Sequence, residues 1–121
     1  MAIGQKSLAA RYSSELFDHK VWCFTGDGCL MEGVSAESSS LAGHLGLNNL
    51  IVVYDDNSIS IAGETELAFT ENVKQRYESY GWKVLEIDGH DLDQIDAAYT
   101  EAINEKEKPV FIAAKTSIGK R

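Results

Sequence analysis

Two short apolar runs, each ending in a cluster of polar residues, constrain the fold of this chain more than any other feature. Val21–Thr25 precedes Gly26-Asp27-Gly28, and Leu50–Tyr54 precedes Asp55-Asp56-Asn57. Short runs rich in β-branched and aromatic residues that stop at turn-forming residues are typical of buried parallel strands. The segment between them is long enough for a crossover helix, so both polar clusters should meet at one edge of a sheet. Open α/β sheets bind their ligands at that edge.

The rest of the chain continues this alternation of strands and helices. The predicted strands are Val21–Thr25, Leu50–Tyr54, Lys83–Ile87 and Val110–Lys115, and the predicted helices are Ala2–Phe17, Glu32–Leu45, Thr70–Tyr80 and Asp91–Glu105. Thr70 and Asp91 are the predicted N-caps of the last two helices, and Asp91 with Gln94 resembles a capping box. Residues 58–69 are polar and aperiodic, which predicts a loop with functional potential. Strict alternation predicts an α/β fold, a parallel sheet with helices on both faces.

Composition narrows the class of protein. With 121 residues, of which 44% are hydrophobic, the chain is one domain at most and has an ordinary globular composition. The net charge is −8 and there is no basic cluster, which argues against nucleic-acid binding. The acidic residues between Glu86 and Glu107 are expected to form a solvated helix face. No apolar run approaches the ~20 residues of a membrane span, and no secretory leader is visible, so we expect a cytoplasmic protein without membrane partners.

The two cysteines, Cys23 and Cys29, are too few for a disulfide framework. Cys23 lies inside a predicted strand, so we expect it to be a buried free thiol. A free thiol suits a reducing compartment.

Asp27 and Asn57 are the candidate ligands at the predicted sheet edge. A carboxylate and an amide oxygen are hard donors of the kind that Mg²⁺ and Ca²⁺ prefer. Gly28 has no Cβ, so its backbone N–H can approach a phosphate closely, and the helix that follows would add a favourable dipole. Taken alone, each polar cluster is better explained as an ordinary turn, because these residue types are common in turns.

The residues around both clusters resemble those of transketolases, over a span from Met1 to Gly119. The matching stretches are Gly26-Asp27-Gly28-Cys29-Leu30-Met31-Glu32-Gly33-Val34-Ser35, Ser40-Leu41-Ala42-Gly43-His44-Leu45, Tyr54-Asp55-Asp56-Asn57-Ser58-Ile59-Ser60-Ile61, Tyr80-Gly81-Trp82 and Lys115-Thr116-Ser117-Ile118-Gly119. The bare pattern of Gly-Asp-Gly and a later Asn is similar to the thiamine diphosphate signature of several enzyme families. The residues that continue it, Cys29–Gly33 and Tyr54–Asn57, favour transketolase among them.

The resemblance implies a cofactor, a metal and the residues that hold them. Thiamine diphosphate would be anchored through Mg²⁺ or Ca²⁺, with Asp27, Asn57 and the backbone carbonyl of Ile59 as metal ligands. Asp27, Gly28 and Asn57 would bind the cofactor's diphosphate end. Ile61 and Ile118 match isoleucines that pack against the cofactor, although for an isoleucine a place in the core is the ordinary expectation.

The resemblance also implies partners and a reaction. Glu32 and Glu37 match two glutamates at a homodimer interface that are proposed to link the paired active sites through an acidic network. They are five residues apart and do not share one helix face, so without the resemblance they would be ordinary surface residues. The implied reaction transfers a two-carbon ketol unit between ketose and aldose phosphates in the pentose phosphate pathway. No catalytic role carries over to His19, His44 or His90.

Transketolases are several times longer, and the chain resembles the second half of their diphosphate-binding domain. We therefore expect a fragment or split protein that is inactive without the remaining domains, because the cofactor-activating glutamate and the sugar-phosphate-binding residues lie outside it. Lys120-Arg121 departs from the aromatic residue and glycine that usually follow Ile-Gly in the family. Two alternatives stay open at this point: a non-catalytic assembly module of the same fold, and part of another thiamine enzyme such as deoxyxylulose-phosphate synthase.

Overall fold

Strands and helices alternate along the chain in the computed structural model, which describes residues 1–60 and 63–120. The elements are α1 (Ala2–Arg11), β1 (Val21–Gly26), α2 (Asp27–Leu30), α3 (Gly33–His44), β2 (Leu50–Asp56), β3 (Ile59–Ser60), β4 (Gly63–Glu64), a 3₁₀ turn (Thr65–Leu67), α4 (Val73–Ser79), β5 (Lys83–Asp88), α5 (Leu92–Asn104) and β6 (Val110–Lys115). One sheet contains β1, β2, β6 and β5 in that order, and every neighbouring pair is parallel. The predicted parallel α/β fold is confirmed.

Each face of the sheet carries its own apolar core, because successive side chains of a strand point to opposite faces. Val52 and Phe111 lie on the face that packs against α3 and α4. Ile51 and Ile112 lie on the other face and pack against α5, where Ala102 is fully buried. Helices therefore cover both faces, as the sequence predicts.

β1 is the outer strand of the described sheet and is less buried than predicted. Phe24 is 73% exposed, and the thiols of Cys23 and Cys29 are exposed as well. The prediction of a buried Cys23 thiol is wrong. The reason is that β1 pairs with β2 alone, so its side chains have close neighbours on one side only.

The first helix is shorter than the predicted Ala2–Phe17. α1 ends at Arg11, and the Gln5 side-chain amide donates a hydrogen bond to the carbonyl of Phe17, which requires the chain to fold back along the helix. The buried positions of α1 are Ala2 and Gln5, whereas Leu8 is 40% exposed. The apolar spacing in this segment therefore does not mark the buried face.

The predicted helix Glu32–Leu45 is preceded by a separate turn of helix. α2 contains four residues, and Glu32 has an extended backbone before α3 begins at Gly33. The helix dipole that was expected next to Gly28 is therefore only the dipole of α2, a single helical turn. α3 ends at His44, one residue before the predicted Leu45, and Gly46 follows with a φ of +56°.

The predicted loop 58–69 contains the short antiparallel pair β3–β4 and a 3₁₀ turn. The helix after it begins later than predicted, because Asn72 rather than Thr70 is the N-cap: its side chain accepts a hydrogen bond from the Gln75 N–H at 3.0 Å. Asp91 caps α5 as predicted, accepting from the Gln94 N–H at 3.2 Å.

None of the helices in the described parts of the chain is long and apolar enough to cross a membrane.

Candidate functional site

Asp27 stands at the carboxyl end of β1, where the strand turns into α2. Only 3% of its surface is exposed. Its Oδ1 accepts a hydrogen bond from the Tyr54 hydroxyl, whereas its Oδ2 is buried and has no hydrogen-bond partner among residues 1–60 and 63–120. A buried carboxylate oxygen without a partner costs free energy, so this atom is suited to bind a cation or a ligand donor.

Tyr54 reaches Asp27 from the neighbouring strand β2. It is 4% exposed, and its ring stacks on that of Phe111 with centroids 5.7 Å apart. Burial raises the pKa of the Tyr54 hydroxyl, and the hydrogen bond to Asp27 and the charge of Asp56 raise it further. The hydroxyl therefore stays protonated at neutral pH and acts as a donor to the carboxylate.

Sequence analysis did not single out Tyr54 as a site residue. The signal that would have found it is the period of two along β2, which places Tyr54 and Asp56 on the same face of the sheet. The hydroxyl of Tyr54 also lies 3.5 Å from Asp56 Oδ1. Asp56 Oδ1 in turn lies 3.2 Å from the Lys115 ammonium.

Asn57 follows β2, and its side chain shapes the turn that leads into β3. Its Oδ1 accepts a hydrogen bond from the Ile59 N–H at 2.9 Å, and its Nδ2 donates to Asp55 Oδ2 at 2.7 Å. Ser58 has a φ of 61°, a left-handed conformation that is uncommon outside glycine. An amide oxygen has two lone pairs, so Asn57 Oδ1 retains one acceptor position for a cation.

Gly28 lies against the segment that follows Asn57. A Cβ at Gly28 would lie 3.1 Å from the Ser60 hydroxyl oxygen, so a larger residue would press on β3. α2 contacts β2 and β3 as well as β1. The structure thus brings Asp27, Gly28, Asn57 and Ile59 to the same edge of the sheet.

A cavity of about 330 Å³ opens beside Asp27. Asp27, Tyr54 and Asp56 contribute to its wall from the sheet edge. The other lining residues come from the segment before and within α4, a region without a predicted site residue: Thr65, Phe69, Thr70, Glu71, Asn72, Val73 and Lys74. Side chains of both charges and several hydroxyl and amide groups therefore line the cavity together with Asp27.

The remaining predicted site residues lie apart from this cluster or outside the described residues. Glu32 and Glu37 are exposed, the former at the N-cap of α3 and the latter within it. Ile118 is 67% exposed in the segment after β6. Ile61 lies outside the described residues. These four assignments, like those of Asp27, Gly28, Asn57 and Ile59, stay predictions from the sequence.

A second cavity, of about 470 Å³, lies at the carboxyl ends of β5 and β6. Acidic and basic side chains both line it, among them Asp88 and Lys115, and it contains none of the predicted site residues. Within residues 1–60 and 63–120 no three His, Cys, Asp or Glu side chains are grouped as a metal site would require. A site with one carboxylate, an amide oxygen and a backbone carbonyl does not depend on such a group.

Comparison with known proteins identifies the family. The family profile described as "Transketolase, thiamine diphosphate binding domain" matches residues 1–121. The chain belongs to the transketolase family. It is 53% identical to Transketolase 1 of Candida albicans and 49% identical to the transketolase of Rhodobacter capsulatus, each over 98% of this chain.

The fold is that of solved transketolases. A mutant transketolase from Pichia stipitis in complex with fructose-6-phosphate matches 98% of this chain with a TM-score of 0.92 and 51% identity. The transketolase of Campylobacter jejuni matches 95% with a TM-score of 0.90 and 46% identity. The chain spans about 18% of the length of these transketolases. The predicted transketolase resemblance and the thiamine diphosphate-binding fold are confirmed.

Proposed function

We propose that this chain holds the metal–diphosphate end of thiamine diphosphate in a transketolase. The observation that carries the proposal is the buried Asp27 carboxylate, whose Oδ2 has no partner in the described part of the chain although its Oδ1 is hydrogen-bonded to Tyr54. The match of residues 1–121 to the thiamine diphosphate-binding domain supports it.

The residues at the sheet edge fit a metal-bound diphosphate. Mg²⁺ and Ca²⁺ bind hard oxygen ligands, and a diphosphate brings its own oxygens and most of the negative charge. The protein then needs one carboxylate and a few neutral oxygens, which Asp27, Asn57 and the backbone carbonyl of Ile59 would supply. Gly28 has no Cβ, so a phosphate could approach its backbone N–H closely. Ile61 and Ile118 would contact the organic part of the cofactor.

When bound, thiamine diphosphate supplies the carbanion chemistry of the reaction, and the protein supplies placement and electrostatics. We infer that the enzyme transfers a two-carbon ketol unit between ketose and aldose phosphates, as in the pentose phosphate pathway, and that it works in the cytoplasm. Because the chain spans about 18% of its relatives' length, we propose that residues 1–121 alone do not turn over substrate.

The surface of α3 supports association with further transketolase parts and with a second subunit. Val34 is 70% exposed, and Leu41, which lies seven residues later on the same face of the helix, is 49% exposed. Glu32 and Glu37 are exposed near them. We propose that the rest of the transketolase subunit and its homodimer partner cover this surface, with both glutamates at the subunit interface.

The experiment is to exchange the segment between enzymes. In what we name the exchange enzyme, residues 1–121 replace the matching segment of Transketolase 1 of Candida albicans. We expect it to convert xylulose 5-phosphate and ribose 5-phosphate in the presence of thiamine diphosphate and Mg²⁺, and we expect purified residues 1–121 to be inactive. Asp27→Ala should abolish the activity of the exchange enzyme, whereas Asp96→Ala, at an exposed position of α5, should not.

Two results would contradict the proposal. A folded exchange enzyme that lacks activity would show that the chain does not carry the metal–diphosphate function. Turnover by residues 1–121 alone would show that the chain does not need the other parts of a transketolase.

A further inference from the structure

Two hydrogen bonds determine which way the side-chain amide of Asn57 points. Its Oδ1 accepts from the Ile59 N–H at 2.9 Å, and its Nδ2 donates to Asp55 Oδ2 at 2.7 Å. If the amide were turned over, its nitrogen would face the Ile59 N–H and its oxygen would face the Asp55 carboxylate. Both contacts would then be repulsive, because a donor would meet a donor and an acceptor would meet an acceptor. The two bonds together therefore keep the amide oxygen on the side of Ile59.

The carboxylate of Asp55 joins the ends of two neighbouring strands. It lies near the end of β2, and β2 pairs with β6 in the sheet. While Oδ2 of Asp55 accepts from Asn57, its Oδ1 accepts a hydrogen bond from the hydroxyl of Thr116, directly after β6. A carboxylate bonded at both oxygens has little freedom to turn about its Cβ–Cγ bond, so Asp55 presents a fixed acceptor to Asn57.

Thr116 is itself held in place by its surroundings. Its backbone N–H donates to the carbonyl of Asp56 at 3.1 Å, and the N–H of Ser117 donates to His90 Nε2 at 2.9 Å. The loop before His90 also packs closely on Thr116, since a Cβ at Gly89 would lie 2.6 Å from Thr116 Cγ2. The Thr116 hydroxyl is thus a fixed donor, and the position of Asp55 follows from it.

We propose that Asp55 is a positioning residue that orients the Asn57 amide, so that its oxygen rather than its nitrogen faces the metal of the cofactor site. A cation binds the amide oxygen, whereas the NH₂ group has only donors to offer. Hydrogen-bond partners behind a metal ligand orient it, and their loss typically lowers metal affinity about 10- to 100-fold. This inference rests on the proposed function, since it takes Asn57 to be a metal ligand.

Two other roles of Asp55 make different predictions. If Asp55 acted only through its negative charge, Asp55→Asn would weaken cofactor binding as much as Asp55→Ala. If it only stabilised the loops, its loss would act equally with or without the Asn57 amide. Orientation of Asn57 predicts instead that asparagine replaces Asp55 well. Its amide oxygen can accept from Asn57, and its amide nitrogen can donate to the Thr116 hydroxyl, which accepts as well as donates.

The experiment measures the affinity of the exchange enzyme for thiamine diphosphate with Mg²⁺ by titration calorimetry. We expect Asp55→Ala to lower this affinity about 10- to 100-fold and Asp55→Asn to retain most of it. In an Asn57→Ala background, Asp55→Ala should have little further effect, because the amide that it orients is gone. Asp96→Ala is the control, since it removes the same charge from an exposed position of α5 and should leave the affinity unchanged.

Thr116→Val gives a second test, which does not require Asp55→Ala to fold. Valine is close to threonine in shape but lacks the hydroxyl that holds Asp55, so the affinity should fall while Asn57 is present and not in the Asn57→Ala background.

Three results would overturn the inference. They are unchanged affinity in Asp55→Ala or Thr116→Val, equal losses in Asp55→Ala and Asp55→Asn, and an undiminished effect of Asp55→Ala in the Asn57→Ala background. Failure of the inference is distinguishable from failure of the proposed function, because Asp27→Ala in the same titration tests the proposed function alone.

Discussion

Gly43 marks the closest approach between α3 and the segment that joins α4 to β5, and replacing it with alanine tests that packing. A Cβ at Gly43 would overlap the carbonyl oxygen of Tyr80, lie 2.9 Å from the Tyr80 carbonyl carbon and lie 3.2 Å from Trp82 Cδ1. The Tyr80 carbonyl has little freedom to turn away, because Tyr80 is the C-cap of α4 and Gly81 follows it with a φ of +86°. Gly43→Ala therefore forces α3 outward.

The outward movement of α3 has a cost that follows from the contacts it breaks. The Trp82 indole N–H donates to the Ser39 carbonyl at 2.8 Å, and the Ser39 hydroxyl donates to Tyr77 at 3.0 Å. Each buried hydrogen bond contributes about 0.5–1.5 kcal/mol net. Overpacking of a core typically costs about 1–3 kcal/mol. We expect Gly43→Ala to lower the free energy of unfolding by about 3 kcal/mol, which corresponds to a fall in Tm of roughly 10 °C.

Urea denaturation of purified residues 1–121, followed by tryptophan fluorescence, measures this difference. Gly33→Ala is the matched control, because Gly33 belongs to the same helix and a Cβ there meets nothing within 4 Å. It should leave the free energy of unfolding within about 0.5 kcal/mol of the unmodified chain or raise it slightly, since alanine is the better helix former. Equal effects of the two substitutions would refute the close packing of α3 against Tyr80.

Three further predictions concern the core, a helix cap and one carboxylate. Phe111→Ala, at a fully buried position, should lower the free energy of unfolding by about 3–5 kcal/mol, whereas Phe24→Ala, at a position 73% exposed, should change it little in the same denaturation assay. Asn72→Ala should lower the free energy of unfolding by about 1 kcal/mol and Thr70→Ala by much less. A larger fall in Tm for Thr70→Ala would instead support Thr70, the N-cap predicted from the sequence. Hydrogen bonds from the backbone N–H groups of Glu107 and Lys108, together with the ion pair to Lys83, lower the pKa of Glu105 to about 2. The ionised Glu105 carboxylate, a partly exposed group, should stabilise the fold by about 1 kcal/mol above pH 4.5, and this effect should be lost as the pH falls toward 2. In thermal melts over a series of pH values, Glu105→Gln should remove this pH dependence of Tm.

The strands were predictable from the sequence because buried parallel strands leave a strong local signal. All four strands of the parallel sheet begin at the predicted residue, from Val21 in β1 to Val110 in β6. α5 was equally predictable, since Asp91 and Gln94 form the capping pattern at its start. The ends of other helices depend on contacts distant in sequence. The bond between the Gln5 side chain and the Phe17 carbonyl, which accompanies the early end of α1, has no local signal.

The site was predictable in part, for a similar reason. The positions of Asp27 and Asn57 follow from strand ends, and the structure places both at the same edge of the sheet. The hydrogen bond from Tyr54 to Asp27 crosses between two strands and depends on which face each side chain occupies. The exposure of Cys23 likewise depends on the order of strands in the sheet, which a single strand's sequence does not specify.

The measurement that tests the central claim most directly is the affinity of the exchange enzyme for thiamine diphosphate in the presence of Mg²⁺. Asp27→Ala removes a buried charged ligand, and breaking a partly buried charge pair should cost on the order of 2–4 kcal/mol. In titration calorimetry this corresponds to a loss of roughly 30- to 1,000-fold in affinity. Asn57→Ala should cost less because water can partly replace a neutral ligand, and Asp56→Ala should cost least, since Asp56 is paired with Lys115. Unchanged affinity in Asp27→Ala, with loss in Asp56→Ala, would contradict the assignment of this site.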